Sequence, residues 1–175
     1  NRYLFADRLG VAITELLEAY TKKRFAELLT KKKLSVEGFD SYPNTIALKS
    51  PVPKVFNKNL YERIDGINGE ERGFVERIDL GVLDNVEYWV RNREKVDPFY
   101  IQGWHKGKFY PDFVAVTKKG NIVALEWKGE DRVSNEDTAY KVEIASQWEK
   151  LGKNLRFFLV HNGNSEEVLT QLKAL

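Results

Sequence analysis

Residues 108–129 read Lys-Phe-Tyr-Pro-Asp-Phe-Val-Ala-Val-Thr-Lys-Lys-Gly-Asn-Ile-Val-Ala-Leu-Glu-Trp-Lys-Gly. Two short apolar runs flank a Lys118-Lys119-Gly120 turn, which predicts a hairpin of Lys108 to Val116 with Ile122 to Lys128. Strand side chains alternate, so Glu126 and Lys128 share one face while Leu125 and Trp127 share the other. Pairing through the turn brings Asp112 beside Glu126, giving two carboxylates and an ammonium on one face. Neighbouring carboxylates repel each other, and a divalent cation relieves them. All-oxygen ligation suits Mg²⁺, which keeps several waters and binds one or two carboxylates plus substrate phosphates. The alternative is an ordinary cross-strand salt bridge on an exposed face, worth little.

Outward from this hairpin the chain alternates helices and strands. Helix is expected over Glu70 to Ile78, a strand over Val86 to Val90, and extended chain over Tyr100 to Trp104. After the hairpin, Ser134 to Leu151 reads as helix, capped by Ser134 or Asn135 and ended by Gly152. Leu155 to Val160 is nearly all apolar, as a central strand covered on both faces would be. Ser165 is then expected to cap a last helix. This order predicts an α/β fold, a three-layer sandwich around a mixed central sheet. Upstream, Leu9, Ala12, Ile13, Leu16, Leu17 and Tyr20 recur at helical steps, continued by Phe25, Leu28 and Leu29. The stretch 35–60, broken by Gly38, Pro43, Pro51 and Pro53, reads as a connecting segment with at most one strand, Thr45 to Leu48. The expected division is a helical connector over 1–58 and a folded domain over 59–175.

Composition narrows the chemistry. The 175 residues carry 28 Lys+Arg against 26 Asp+Glu, a net charge of +2, and are 42% hydrophobic, enough for one core. With no Cys and only His105 and His161, thiolate and histidine metal cages are excluded. No run of about 18 apolar residues and no leader is found, so no membrane is expected and a cytoplasmic address is. The lack of any Met, even at position 1, suggests a piece of a longer polypeptide or methionines missing from the written sequence.

Pro111-Asp112 followed by Glu126-Trp127-Lys128 resembles the PD-(D/E)xK nuclease motif. With Trp89-Val90-Arg91-Asn92, Gln102-Gly103-Trp104, Lys108 to Phe113, and Asp137-Thr138-Ala139-Tyr140-Lys141, the wording over roughly 59–160 resembles one family in particular. That family is the C-terminal endonuclease domain of type III restriction enzyme Res subunits and related DEAD/DEAH-box helicases. The resemblance implies a restriction endonuclease-like fold and Mg²⁺-dependent, site-specific cleavage of double-stranded DNA. It implies that Asp112 and Glu126 ligate the metal, that the Trp127 carbonyl can add an oxygen, and that Lys128 faces the attacked phosphate. Glu71 matches the upstream acidic ligand, with Glu70 and Glu76 as alternatives. Trp127 stands where the family usually has Tyr or Val, and Ala139 where a basic residue is common.

The expected partners are a helicase motor in the same polypeptide and a modification methyltransferase subunit. No Gly-x-x-x-x-Gly-Lys-Ser/Thr stretch occurs here, so any use of ATP belongs to that motor. Lys106 and Lys108, beside Trp104 and His105, are candidate DNA contacts, as is Lys141 in the family wording. Trp104, Trp127 and Trp148 are expected in the core. Two other readings stay open: a helicase-linked repair or defence nuclease, and an inactive DNA-binding or docking domain of the same fold.

Overall fold

In the computed structural model, which describes residues 2–31, 37–38, 42–49, 55–79, 83–105 and 107–175, twelve elements set out the fold. They run α1 (Arg2–Thr30), β1 (Glu37–Gly38), α2 (Gly69–Asp79), β2 (Val86–Arg91), β3 (Tyr100–Gln102), β4 (Lys108–Phe109), β5 (Phe113–Thr117) and β6 (Ile122–Trp127). A short 3-10 turn, Glu130–Arg132, leads to α3 (Glu136–Glu149), β7 (Leu155–Val160) and α4 (Ser165–Ala174). The architecture is α/β with a mixed sheet and an N-terminal helix.

The main sheet has the order β2-β5-β6-β7. β5 pairs antiparallel with both β2 and β6, and β6 pairs parallel with β7 in the register Glu126↔Leu159. The expected hairpin forms: Gly120, at φ +79°, takes the left-handed backbone that the turn requires, and its N–H donates to Thr117 O at 2.8 Å. The parallel β6–β7 pair needs a crossover, which α3 supplies. Asn135 caps that helix, its side-chain oxygen accepting from Thr138 N at 2.8 Å, with Glu136 and Asp137 favourably placed in the first turn.

Helices cover both faces of this sheet. On one face Phe74, Val75 and Ile78 of α2 and Val168, Leu169 and Leu172 of α4 pack with Trp89, Phe113, Leu125 and Trp127. On the other, Ile144, Ala145 and Trp148 of α3 pack with Val90, Val114 and Ala124, joined by Phe99 and Phe25. Each Val, Leu, Ile or Phe side chain so withdrawn from water contributes about 1.5–3 kcal/mol before entropy is counted. Asp79, 3% exposed, ties the incoming chain to this body. It accepts from Asn57 N at 2.8 Å, Lys58 N at 2.7 Å and Trp89 Nε1 at 3.1 Å.

Several expectations need correction. Thr45 to Leu48 forms no strand. The single strand expected over Lys108 to Val116 is two: β4 belongs to a small sheet of order β1-β3-β4, while β5 belongs to the main one. The break falls at Tyr110 to Asp112, where Pro111 has no N–H to give a ladder. Leu155 to Val160 lies at a sheet edge rather than in the middle, with Arg156 to Leu159 only half-buried. Ser165 is the first residue of α4, and Asn164 stands at its cap position. α1 is helical as expected, but of its residues Phe25 alone is buried, and Leu9, Ile13, Leu16, Leu17 and Tyr20 are exposed. Its second half rests on the body through Phe25 against Trp104 and a Lys22–Glu143 ion pair at 2.5 Å. No helix among the described residues is long and apolar enough to cross a membrane.

Candidate active site

Asp112 and Glu126 meet because of the β5–β6 register. Phe113 pairs with Leu125, so the residue before one faces the residue after the other. Both carboxylates fall on the α3 side of the sheet, with Val114 and Ala124, while Leu125 and Trp127 go to the opposite core. Asp112 Oδ2 accepts from Trp127 N at 2.8 Å. Asn92 fixes the Pro111-Asp112 turn from behind: its backbone N–H donates to Asp112 O at 2.8 Å, and its Nδ2 donates to Pro111 O at 2.9 Å and Phe99 O at 3.0 Å.

The cavity these groups line has a volume of about 330 Å³ and a wall of charges. Glu71, Asp112 and Glu126 line it together with Arg91, Lys128, Arg132 and Lys141. Glu126 is 3% exposed. Its Oε1 accepts from Lys128 Nζ at 2.9 Å and Lys141 Nζ at 3.0 Å, whereas its Oε2 is buried with no hydrogen-bond partner. Burial pushes the Asp112 carboxyl up to about 7, with Glu126 and then Glu71 adding to the rise. The Trp127 N–H and Arg91 pull against it. Burial works against the Lys141 ammonium, but Glu126 and Asp137 outweigh it and hold its pKa above the ordinary lysine value.

Of the three upstream acidic residues, Glu71 alone lines this cavity. Its Oε2 accepts from Asn68 N at 3.2 Å while Asn68 Oδ1 accepts from Glu71 N at 2.9 Å, a reciprocal cap on α2. Arg91 Nη1 reaches the same oxygen at 3.3 Å. Glu70 turns to the opposite side of the sheet, accepting from Trp127 Nε1 at 3.4 Å and Asn162 Nδ2 at 3.1 Å. Glu76 pairs with Arg72 at 2.9 Å.

The expected DNA contacts fall in different places. Lys106 lies outside the described residues. Lys108 is exposed, its Nζ 3.7 Å from the centre of the Tyr100 ring, and it is not part of the cavity wall. Lys141 is in the wall and engaged with Glu126 and Asp137. Trp104, Trp127 and Trp148 are core residues, and Trp104 packs edge-on against Phe25 and Tyr140.

Arg91 and Asn92 belong to the family wording but carry no expected role, and the structure shows what they touch. The spacing Asn68-x-x-Glu71 is a capping signature that also marks where α2 begins. Nothing in the local pattern signals the hydrogen bonds of Asn92, because its partners are carbonyls on distant loops.

These residues fit a hard divalent cation. Every donor is oxygen, the two carboxylates repel each other, and one buried oxygen of Glu126 has nothing to bind. No three carboxylate or histidine groups among the described residues converge into a ready-made cage, so water and substrate oxygens would complete the coordination. Comparison with protein-family models, with curated proteins and with solved structures finds no match for this chain.

Proposed function

We propose that this chain is a PD-(D/E)xK nuclease domain of restriction endonuclease-like fold that hydrolyses DNA phosphodiester bonds with Mg²⁺. In this reading it is the C-terminal module of a type III restriction Res subunit, with a helicase motor in the same polypeptide and a methyltransferase subunit as partner. The observation that carries the reading is Glu126 Oε2, buried and unpaired beside Asp112 on the Pro-Asp and Glu-x-Lys strands. A solvent-facing salt bridge would leave no such oxygen, and burying one without a ligand costs about 1–3 kcal/mol or more for a charged group.

Asp112 and Glu126 would hold the cation, and Glu71 is placed to join them. Bound Mg²⁺ supplies an activated water and neutralises phosphate oxygens. Lys128 Nζ, at the cavity wall, stabilises the charge that develops on the attacked phosphate and holds the attacking water. Asn92 keeps the Pro111-Asp112 turn in place, and α3 closes the far side of the cavity. The uncovered apolar residues of α1 support its reading as a connector that lies against the motor.

The test is Asp112→Ala in the intact polypeptide. Mg²⁺-dependent cleavage of double-stranded DNA is expected in the parent and lost in the variant, with DNA binding retained. A parent that binds DNA and never cleaves, or a variant that cleaves equally, would sink the proposal in favour of a docking role. A methyltransferase encoded beside the full gene favours restriction over repair.

A further inference from the structure

Two ammonium groups converge on one oxygen in this cavity, and their tethers differ. Lys128 stands two residues from Glu126 at the end of β6, with its own N–H donating to Val160 O at 2.8 Å. Its Nζ is 2.9 Å from Glu126 Oε1 and 4.0 Å from Asp137 Oδ2. Lys141 reaches in from α3. Its Nζ lies 3.0 Å from Glu126 Oε1 and also 3.0 Å from Asp137 Oδ2, one helical turn earlier. The Asp137 side chain is 61% exposed, so this second carboxylate stands at the mouth of the cavity rather than inside it. Lys141 has a resting place outside the centre, and Lys128 has only a distant one.

A divalent cation beside Glu126 would meet two positive charges at hydrogen-bonding distance from the same carboxylate. Like charges so close in a partly dry site repel strongly, and one of the three must leave. We propose that Lys141 is a positioning residue that holds Glu126 while the site is free of metal, and that it moves onto Asp137 when a divalent cation binds. Lys141 thus keeps a buried carboxylate paired and oriented in the empty site, and Asp137 sets how readily it lets go. This rests on the proposed metal role of Glu126.

The pair makes opposite predictions for its two members. Mg²⁺ and Mn²⁺ affinities are read by isothermal titration calorimetry on the whole chain at pH 8, without DNA and without reference to cleavage. Lys141→Met is expected to bind about tenfold more tightly than the parent, since a competing charge is removed. Asp137→Asn is expected to bind about threefold more weakly, since Lys141 has lost its alternative partner. Glu136→Gln, in the same turn of α3, is expected to leave affinity unchanged. Tighter binding at 141 together with weaker binding at 137 supports the proposal. Shifts in the same direction, no shift in either, or an equal loss at 136 overturn it, because a pair that only braces α3 would weaken binding from either end. If Lys141→Met does not fold, Asp137→Asn decides alone: weaker binding supports the proposal, and unchanged or tighter binding overturns it. A parent chain that takes up neither ion overturns the nuclease reading itself, while metal uptake with wrong signs overturns only the role of Lys141.

Discussion

Asp112 is held where its charge is unwelcome, and stability should show it. Its folded-state pKa is raised to about 7 by burial first and by Glu126 second. A carboxyl raised in this way binds its proton more tightly folded than unfolded. Its contribution to stability is therefore full below the ordinary carboxylate range and is lost as pH rises through about 7. Asp112→Asn, which keeps an oxygen for the Trp127 N–H, should stabilise the metal-free chain at pH 8 by on the order of 3 kcal/mol. At pH 4 it should do almost nothing. Thermal melts at the two pH values measure the difference, and equal shifts at both would refute it. Asn92→Ala should do the reverse, destabilising at all pH values by about 1–3 kcal/mol as the carbonyls of Phe99 and Pro111 lose a buried donor. Urea denaturation reads that loss. The contrast explains what could be read from residues alone. Asp112, Glu126 and Lys128 announce themselves because period two and one turn bring them together. Asn92 and Arg91 act across loops that local pattern does not describe.

Among the elements, α3 is set by one glycine and β7 by one glutamate. A Cβ at Gly103 would run into the Tyr140 hydroxyl and come within 2.8 Å of Ile144 Cγ2. Gly103→Ala should therefore push α3 off the sheet and cost about 1–3 kcal/mol, as overpacking does. A denaturant midpoint unchanged by this substitution would show that α3 can shift freely. At the sheet edge, Glu149 accepts from Phe157 N at 2.9 Å and Asn164 Nδ2 donates to Leu159 O at 2.8 Å, so side chains occupy backbone groups that another strand would otherwise seek. Glu149→Ala should leave Phe157 N free and raise self-association, measured by sedimentation at increasing concentration. The run Leu155 to Val160 looks central in sequence because it is apolar throughout. In the fold α3 and α4 flank it, and nothing in its own six residues says that no strand among the described residues pairs beyond it. Pro111 is the opposite case, since a residue without an N–H marks by itself the point where β4 gives way to β5.

At the scale of the molecule, much of the succession of helices and strands after Asn68 was legible because the hairpin strands alternate with period two and α2 and α3 each open on an asparagine cap. The division into two sheets and the exposed apolar side of α1 were not, because they depend on what each element packs against. Sheet order has a further consequence in time. The β5–β6 hairpin is local and can pair as soon as it is made. β6 then remains an open edge, with the Lys128 N–H unpaired, until Val160 arrives to receive it. Lys141 comes between the two, on a helix whose seat needs Trp148 buried. A growing chain therefore carries the whole motif before it carries the cavity. If the domain cuts DNA, the emerging chain carries its carboxylates before the wall that surrounds them, and it stays unarmed until α3 is seated and brings Lys141 to that wall.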